Sequence, residues 1–450
     1  MSMRSQILLS VPPALGCAAV LWFGWPGSIS VDTASLVLEA ERSAFSGHQE
    51  PMYGFLWSVV LGLLPARVAL VGCFILQVAL FWWSFGRLAR GAMQEGAPVA
   101  AVLASLAGFL PPLMCFCFHV DSNIITGVAW LGALGLCARP GERPPLARAG
   151  FLLWVGFIAR SGMILGVVPV AFACLRLAKP ATNAWRALGC ALAFGVGAQG
   201  LSYVTSRVLL GDPSRDTVLA VSQYFDMAGI YERTGVHHVP KQFVTKGHEP
   251  EEVLANYEPG SCASLLWRVD DKPVFRLPSN RDEAQLIRDA WMQTIREQPG
   301  AWLDVKLRFA GLFLLVGVDW AFDCVPLFDR NREFGLDRPE DPYAAPLGMY
   351  AAKTARWLVW KGWVWLLVVV TTVCLSLVVR SPRAIEGAVV CFAGICAMVP
   401  HLLMGQAALA RYHFLPDLLF VVSVLLVMPG LLAWLGRIWG RRVGAGARAN

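Results

Sequence analysis

The sequence predicts an all-α polytopic membrane protein. Three observations carry that prediction. Of the 450 residues, 56% are hydrophobic and only 15% charged, and the mean hydropathy is +0.54. That is too little charge to solvate a globule of this size. Apolar runs long enough to cross a bilayer recur along the chain. Lys and Arg collect in short clusters between those runs, the pattern that orients membrane helices. Topology therefore accounts for the net charge of +7, and no nucleic-acid partner is expected.

Taken in order, residues 7–24 form the first span. It reads as an uncleaved anchor, because no small-residue cleavage site precedes the polar loop after it. With a cytosolic N-terminus, residues 25–66 lie outside. Within them, residues 33–45 put Leu36, Val37, Ala40 and Ala44 on one side and Ser35, Glu39 and Arg42 on the other. About three turns of such a pattern make an interfacial helix. Residues 52–65 are apolar but only about fourteen long, which favours a surface or re-entrant helix.

The charges then fall into register. Residues 67–86 run inward to Arg87 and Arg90, and 97–118 run outward to His119-Val120-Asp121-Ser122-Asn123. Residues 124–138 return to Arg139, Arg143 and Arg148. The apolar stretch 149–178 is too long for one helix and splits near Ala159-Arg160-Ser161-Gly162 into two short ones. Residues 185–210 run outward again. A polar stretch, 211–300, follows, with a helix over 281–298 that aligns Ala284, Ile287, Trp291 and Ile295. Residues 301–318 read as a helix dipping into the outer leaflet or as a true span, and 319–354 form a second polar loop. The last spans are 356–379, 384–404 and 412–436, with Arg380, Arg383, Arg437, Arg441 and Arg442 at their inner ends. The expectation is about ten spans with both termini cytosolic. It has three sections: a membrane core with interfacial helices over 1–210, an outer loop region over 211–354, and C-terminal spans with a basic tail over 355–450.

Twelve cysteines form no CxxC pair, and most sit in apolar spans as small hydrophobes. Cys115-Phe116-Cys117 has no partnering His, so a structural zinc site is not expected. Cys262 and Cys324 both fall in outer loops, where an oxidising compartment would allow a disulfide.

Ionisable side chains at the outer ends of spans are costly there and are functional candidates. Asp32 follows a Pro-Gly turn; it suits either a helix N-cap or a general base. His48 and Glu50 sit in a tight loop before Pro51, suited to a divalent cation, a diphosphate or simple solvation of the turn. Asp121 opens a span, as a cap or as a polar group in the cavity. Arg160, between two short apolar helices, needs an anion, and a lipid phosphate would supply one. Arg411-Tyr412 before Pro416 reads as a phosphate contact or as a snorkelling interfacial pair. Arg308 joins the set if residues 301–318 bring it close. No P-loop, GxGxxG, HExxH or GxSxG motif is present. The short cytosolic loops leave no room for a nucleotide domain, so an activated donor must come from the membrane.

The order of these features resembles GT-C-type integral-membrane glycosyltransferases. These are the polyprenyl-phosphate-sugar enzymes that include protein mannosyltransferases and the lipid A aminoarabinose transferase; the likeness is to a bacterial branch. It rests on Pro26-Gly27…Asp32-Thr33, His48-Gln49-Glu50-Pro51, Asp121, Ala159-Arg160-Ser161, Phe225-Asp226-Met227-Ala228-Gly229-Ile230, Tyr257-Glu258-Pro259, Ala290-Trp291, Gln298-Pro299, Arg308 and Arg411-Tyr412-His413-Phe414-Leu415-Pro416. Asp-Thr stands for the branch's Asp-Ser, and His-Gln-Glu-Pro for His-Pro-Pro. The resemblance implies that Asp32 is the catalytic carboxylate of an inverting sugar transfer at the outer face of a bacterial inner membrane. It further implies an undecaprenyl-phosphate-linked donor and a glycan, lipid or protein acceptor. In members that use a divalent cation, first-loop acids hold it, which makes Asp32 and Glu50 the ligand candidates. An O-antigen polymerase or ligase, and a lipid-linked glycan transporter, are the alternatives. The transporter calls for charges along the middle of spans and for symmetric half-helices, and neither is apparent.

Overall fold

The computed structural model describes residues 3–43, 50–138, 145–208, 215–245, 250–266, 273–318, 330–336, 346–405 and 407–446. Helix α1 (Met3–Phe23) leads through the Trp25-Pro26 cis peptide to strand β1 (Ser28–Ile29), then to α2 (Val31–Arg42) and α3 (Pro51–Leu61). A long helix, α4 (Ala66–Gln94), is followed by α5 (Pro98–Leu106) and α6 (Pro111–Phe116), strand β2 (His119–Val120) and α7 (Ser122–Cys137). Helices α8 (Leu146–Ala159) and α9 (Ile164–Ala178) meet at Arg160, and α10 (Ala184–Val208) completes this section. The polar section contains α11 (Arg215–Thr234), α12 (Pro250–Asn256), α13 (Ala263–Leu266), α14 (Arg281–Glu297), α15 (Pro299–Phe313) and α16 (Pro346–Thr354). Helices α17 (Gly362–Val379), α18 (Pro382–Met404) and α19 (Phe414–Gly446) close the fold.

The protein is an all-α multi-pass membrane protein. Among the described residues, 7 helices are long and apolar enough to cross a bilayer: α1, α4, α9, α10, α17, α18 and α19. Of the expected spans, Pro98–Phe109, Ser122–Cys137 and Leu146–Ala159 are shorter apolar helices. The long helices α4 and α17 carry outward apolar side chains such as Leu76, Leu367, Val370 and Leu377, all more than half exposed. In water that would be costly; against hydrocarbon it is the expected coat.

The expected span over 97–118 is broken. Pro111 and Pro112 supply no N–H, and Leu110, before proline, turns to an extended conformation (φ −57°, ψ 130°). The stretch expected to begin at 356 becomes helical only at Gly362, after a 3-10 turn over Leu358–Trp360. The split of 149–178 falls where the sequence puts it: Arg160 has φ −151° and ψ 79°, outside the helical region. The amphipathic helix α2 buries Leu36, Val37 and Ala40 and packs on α3.

Two ends of the bundle differ in character. At one, Arg383 of α18 donates to the Ala138 carbonyl (3.0 Å) and pairs with Glu95, while Arg176 lies 3.4 Å from Glu386. Arg148, Arg380 and Arg437 belong to this basic end by the direction of their helices. The other end carries β1, β2, α2 and the start of α19. Helices α7 and α8 are held tightly there. Thr126 donates to the Gly156 carbonyl at 2.8 Å, and a Cβ on Gly156 would stand 2.7 Å from the Trp130 ring. That close approach fixes the Arg160 end of α8 beside the first turn of α7.

Candidate active site

The site is organised by a very small piece of sheet. β1 and β2 are parallel, with Ser28 opposite His119 and Ile29 opposite Val120. Ser28 N–H donates to Phe118 O and Ser30 N–H to Val120 O, each at 3.2 Å. His119 Nδ1 lies 2.9 Å from Ser28 Oγ. Gln77 of α4 donates to the Cys117 and His119 carbonyls at 2.8 and 3.0 Å. Because the strands are parallel and each runs directly into a helix, the N-termini of α2 and α7 emerge side by side. Both ends bear partial positive charge, and both carry an aspartate.

Ser30, not Asp32, caps α2: its side chain accepts the Thr33 N–H at 3.0 Å. The capping role considered for Asp32 is thus filled by its neighbour, and the Asp32 carboxylate turns to Arg411, whose Nη2 is 3.8 Å from Oδ2. Asp121 takes the capping role, one of the two its position suits. Its Oδ1 accepts the Asn123 N–H and Nδ2 at 2.8 and 2.9 Å, and among the described residues its buried Oδ2 has no hydrogen-bond donor. Burial raises the Asp121 carboxyl, but the charges of Arg411, His119 and Arg160 and the Asn123 N–H outweigh it and hold it below the usual range. Burial, aided by Arg411, pushes His119 down to about 4, against a smaller opposing pull from Asp121.

Arg160 and Arg411 converge on one ring. Their guanidinium carbons lie 5.6 and 5.3 Å from the Tyr412 centroid, within cation–π range. Tyr412 in turn stacks on His401 (4.9 Å, 27°). Among the described residues no ion pair within 4.0 Å is formed by Arg160, whose charge meets the Tyr412 face directly and the Asp121 carboxylate at longer range. Glu50 reaches the same junction from the first loop, accepting Ser161 Oγ at 2.5 Å. Asp32, Glu50, Asp121, Arg160, Arg411 and Tyr412 therefore belong to one neighbourhood built from distant parts of the chain.

Arg308 does not join it. It pairs with Glu232 of α11 at 3.0 and 3.1 Å on a half-exposed face. The helical period of α15 turns Val305, Lys306 and Phe309 inward instead. Lys306 lies 2.6 Å from the buried Asp226, whose other oxygen accepts the Trp291 and Trp302 indoles at 3.1 Å. This knot ties α11, α14 and α15 together; Asp226 and Trp291 stand out in the sequence only as parts of separate segments, and nothing local pairs them with each other, with Lys306 or with Trp302. His48 lies outside the described residues, as does Cys324, so the pairing expected with the buried Cys262 falls outside them too. Among the described residues no three His, Cys, Asp or Glu side chains gather as a cation site. Asp32 faces the Arg411 guanidinium and Glu50 the Ser161 hydroxyl.

An apolar groove of about 380 Å³ runs down from this end between α3, α4, α7 and α8. Tyr53, Trp57, Gly72, Leu76, Ile125 and Val155 are among its walls, and Leu76 is 72% exposed at its lateral opening. Gln77, which holds the His119 carbonyl, is also in its lining. Glu50 and Asp121 stand at the N-termini of α3 and α7, the helices that give Tyr53 and Ile125 to the groove, so the polar cluster and the groove share this end of the bundle.

No protein-family model, curated protein or solved structure matches this chain.

Proposed function

We propose that the protein is a GT-C-type membrane glycosyltransferase that moves a sugar from a polyprenyl-phosphate carrier to a cell-envelope acceptor. One observation supports this reading above the others. A pair of guanidinium groups and a carboxylate stand together at the end of the bundle from which an apolar groove with an exposed wall residue, Leu76, descends between α3, α4, α7 and α8. That combination suits an amphiphile with an anionic head and a long hydrocarbon tail. A soluble sugar nucleotide would need neither the groove nor its lateral opening.

In the reaction, an acceptor hydroxyl gives its proton to Asp32 as its oxygen bonds to the anomeric carbon. The bond from that carbon to the phosphate oxygen breaks on the opposite face, so configuration inverts. Polyprenyl phosphate leaves with the electron pair. Arg160 and Arg411 stabilise the charge that grows on it, preorganised by Tyr412, and this is the main rate contribution expected of such a site. Asp121 attracts Arg411 by charge, and Glu50 holds the Ser161 end of the broken helix. The 3.8 Å separation of Asp32 and Arg411 exceeds a direct hydrogen bond, which lets Arg411 turn toward an incoming phosphate. By the distribution of Arg and Lys, the cluster faces the periplasm of a bacterial inner membrane, across ten spans with both termini cytosolic. The donor is undecaprenyl-phosphate-linked, and the acceptor is a glycan, lipid or protein.

The test is a reconstitution of the full chain in nanodiscs with a synthetic polyprenyl-phosphate-linked sugar and envelope acceptors. Free polyprenyl phosphate and a glycosylated acceptor are the expected products. Consumption only of diphosphate-linked glycan would support a ligase instead. Movement of intact donor across a vesicle bilayer, with no bond broken, would support a transporter.

A further inference from the structure

Asn331 lies 302 residues beyond Ile29 in sequence, yet it completes the strand that delivers Asp32. Its side chain is 1% exposed. The carboxamide oxygen accepts the Ile29 N–H at 3.0 Å, and the carboxamide nitrogen donates to the Gly27 carbonyl at 2.8 Å. The N–H groups of Ser28 and Ser30 are used on the other side, by β2. One amide side chain therefore serves as the missing edge of a two-residue strand. Gly27 has φ +96°, a backbone conformation that has to be held by its neighbours. Asn331 is itself anchored, because its carbonyl accepts the N–H of the buried Leu336 at 3.0 Å.

The polar section grips the opposite partner as well. Ala408 N–H donates to the Gly260 carbonyl at 2.8 Å, and Ser261 forms a bridge with Ala407. These contacts fix the segment that leads into Arg411. The same section thus touches the chain just before Asp32 and just before Arg411.

We propose that Asn331 is a positioning residue that sets Asp32 against Arg411, coupling the polar section to the site. It acts on β1, and through the Ser30 cap on the first turn of α2, without touching substrate. Its consequence for turnover rests on the transferase reading; its grip on β1 does not.

The experiment compares wild type, Asn331→Ala and Asn331→Asp as full chains in nanodiscs, by hydrogen exchange and by transfer. In Asn331→Ala, exchange over residues 27–42 is expected to rise about tenfold or more, with α14 unchanged. Donor turnover should fall about tenfold to hundredfold with KM within about twofold. Asn331→Asp retains the acceptor for Ile29 but sets a carboxylate oxygen against the Gly27 carbonyl. Protonation restores the donor, so its protection relative to wild type should return as pH falls toward about 4. Unchanged exchange over 27–42 in both variants overturns the proposal, and so does loosening spread equally over all helices. An inactive wild type with the expected local exchange overturns the transferase reading and leaves the clamp standing.

Discussion

Arg411 Nη2 lies 3.8 Å from Asp32 Oδ2, joining the first turn after β1 to the segment that opens the last helix. The buried Asp121 caps the neighbouring helix and feels the same guanidinium. Arg411 is thus shared by two carboxylates on adjacent helix ends. In the proposed reaction, a phosphate that binds Arg160 and Arg411 would compete with the two aspartates and so favour release of the Asp32 carboxylate.

Asp32→Asn is expected to keep the fold, because Ser30 and not Asp32 caps α2. Transfer should drop about hundredfold to ten-thousandfold, the range for removing a general base. The check is turnover in nanodiscs beside a melting curve. A stable variant that retains full activity would sink the role given to Asp32.

Arg160→Lys preserves the charge but removes the planar fork that faces both Tyr412 and a phosphate. Binding of polyprenyl phosphate should weaken about tenfold, or ~1.4 kcal/mol, as measured by lipid titration. Equal affinity in the variant would mean that Arg160 meets the head group only as a point charge, or not at all.

Gly72 lines the groove, and a Cβ there would meet nothing within 4 Å. Gly72→Phe should fill the slot without disturbing the packing around it. Affinity for a long-chain polyprenyl phosphate is expected to fall about tenfold, while a short-chain analogue binds as before. Equal losses for both chain lengths would separate the groove from the tail.

Glu283 gives a pH dependence that does not rest on catalysis. Both its oxygens take Arg276, at 2.8 and 2.9 Å, and one also accepts from Ser279 N–H and Oγ at 2.9 Å. Arg276 first, then Ser279, hold the carboxyl down to about 2, against 4.5 when free. A depressed folded value means that the stabilisation is complete above 4.5 and fades as pH falls through about 2. Glu283→Gln should therefore melt below wild type at pH 7, and the two curves should merge toward pH 2.

The sequence made some of this legible because the signals were local. An Arg in the middle of an overlong apolar run marked the break at Arg160. The period of Leu36, Val37 and Ala40 marked the buried face of α2. Long-range choices left no such trace. Ser30 and Asp32 are both good caps, and only the paired strands decide between them. Strands of two residues have no periodicity to read. Arg308 looked available until α15 turned it toward Glu232, a partner set by packing between helices that are not neighbours in sequence. Asn331 carried no signal at all, since a lone Asn between polar stretches usually solvates a turn.

The meeting of Asp32 with Arg411 also has a temporal side. Asp32 is synthesised long before Arg411, so this contact cannot form while the intervening helices are being made. The cluster is therefore assembled late, by the meeting of an early and a late part of the chain.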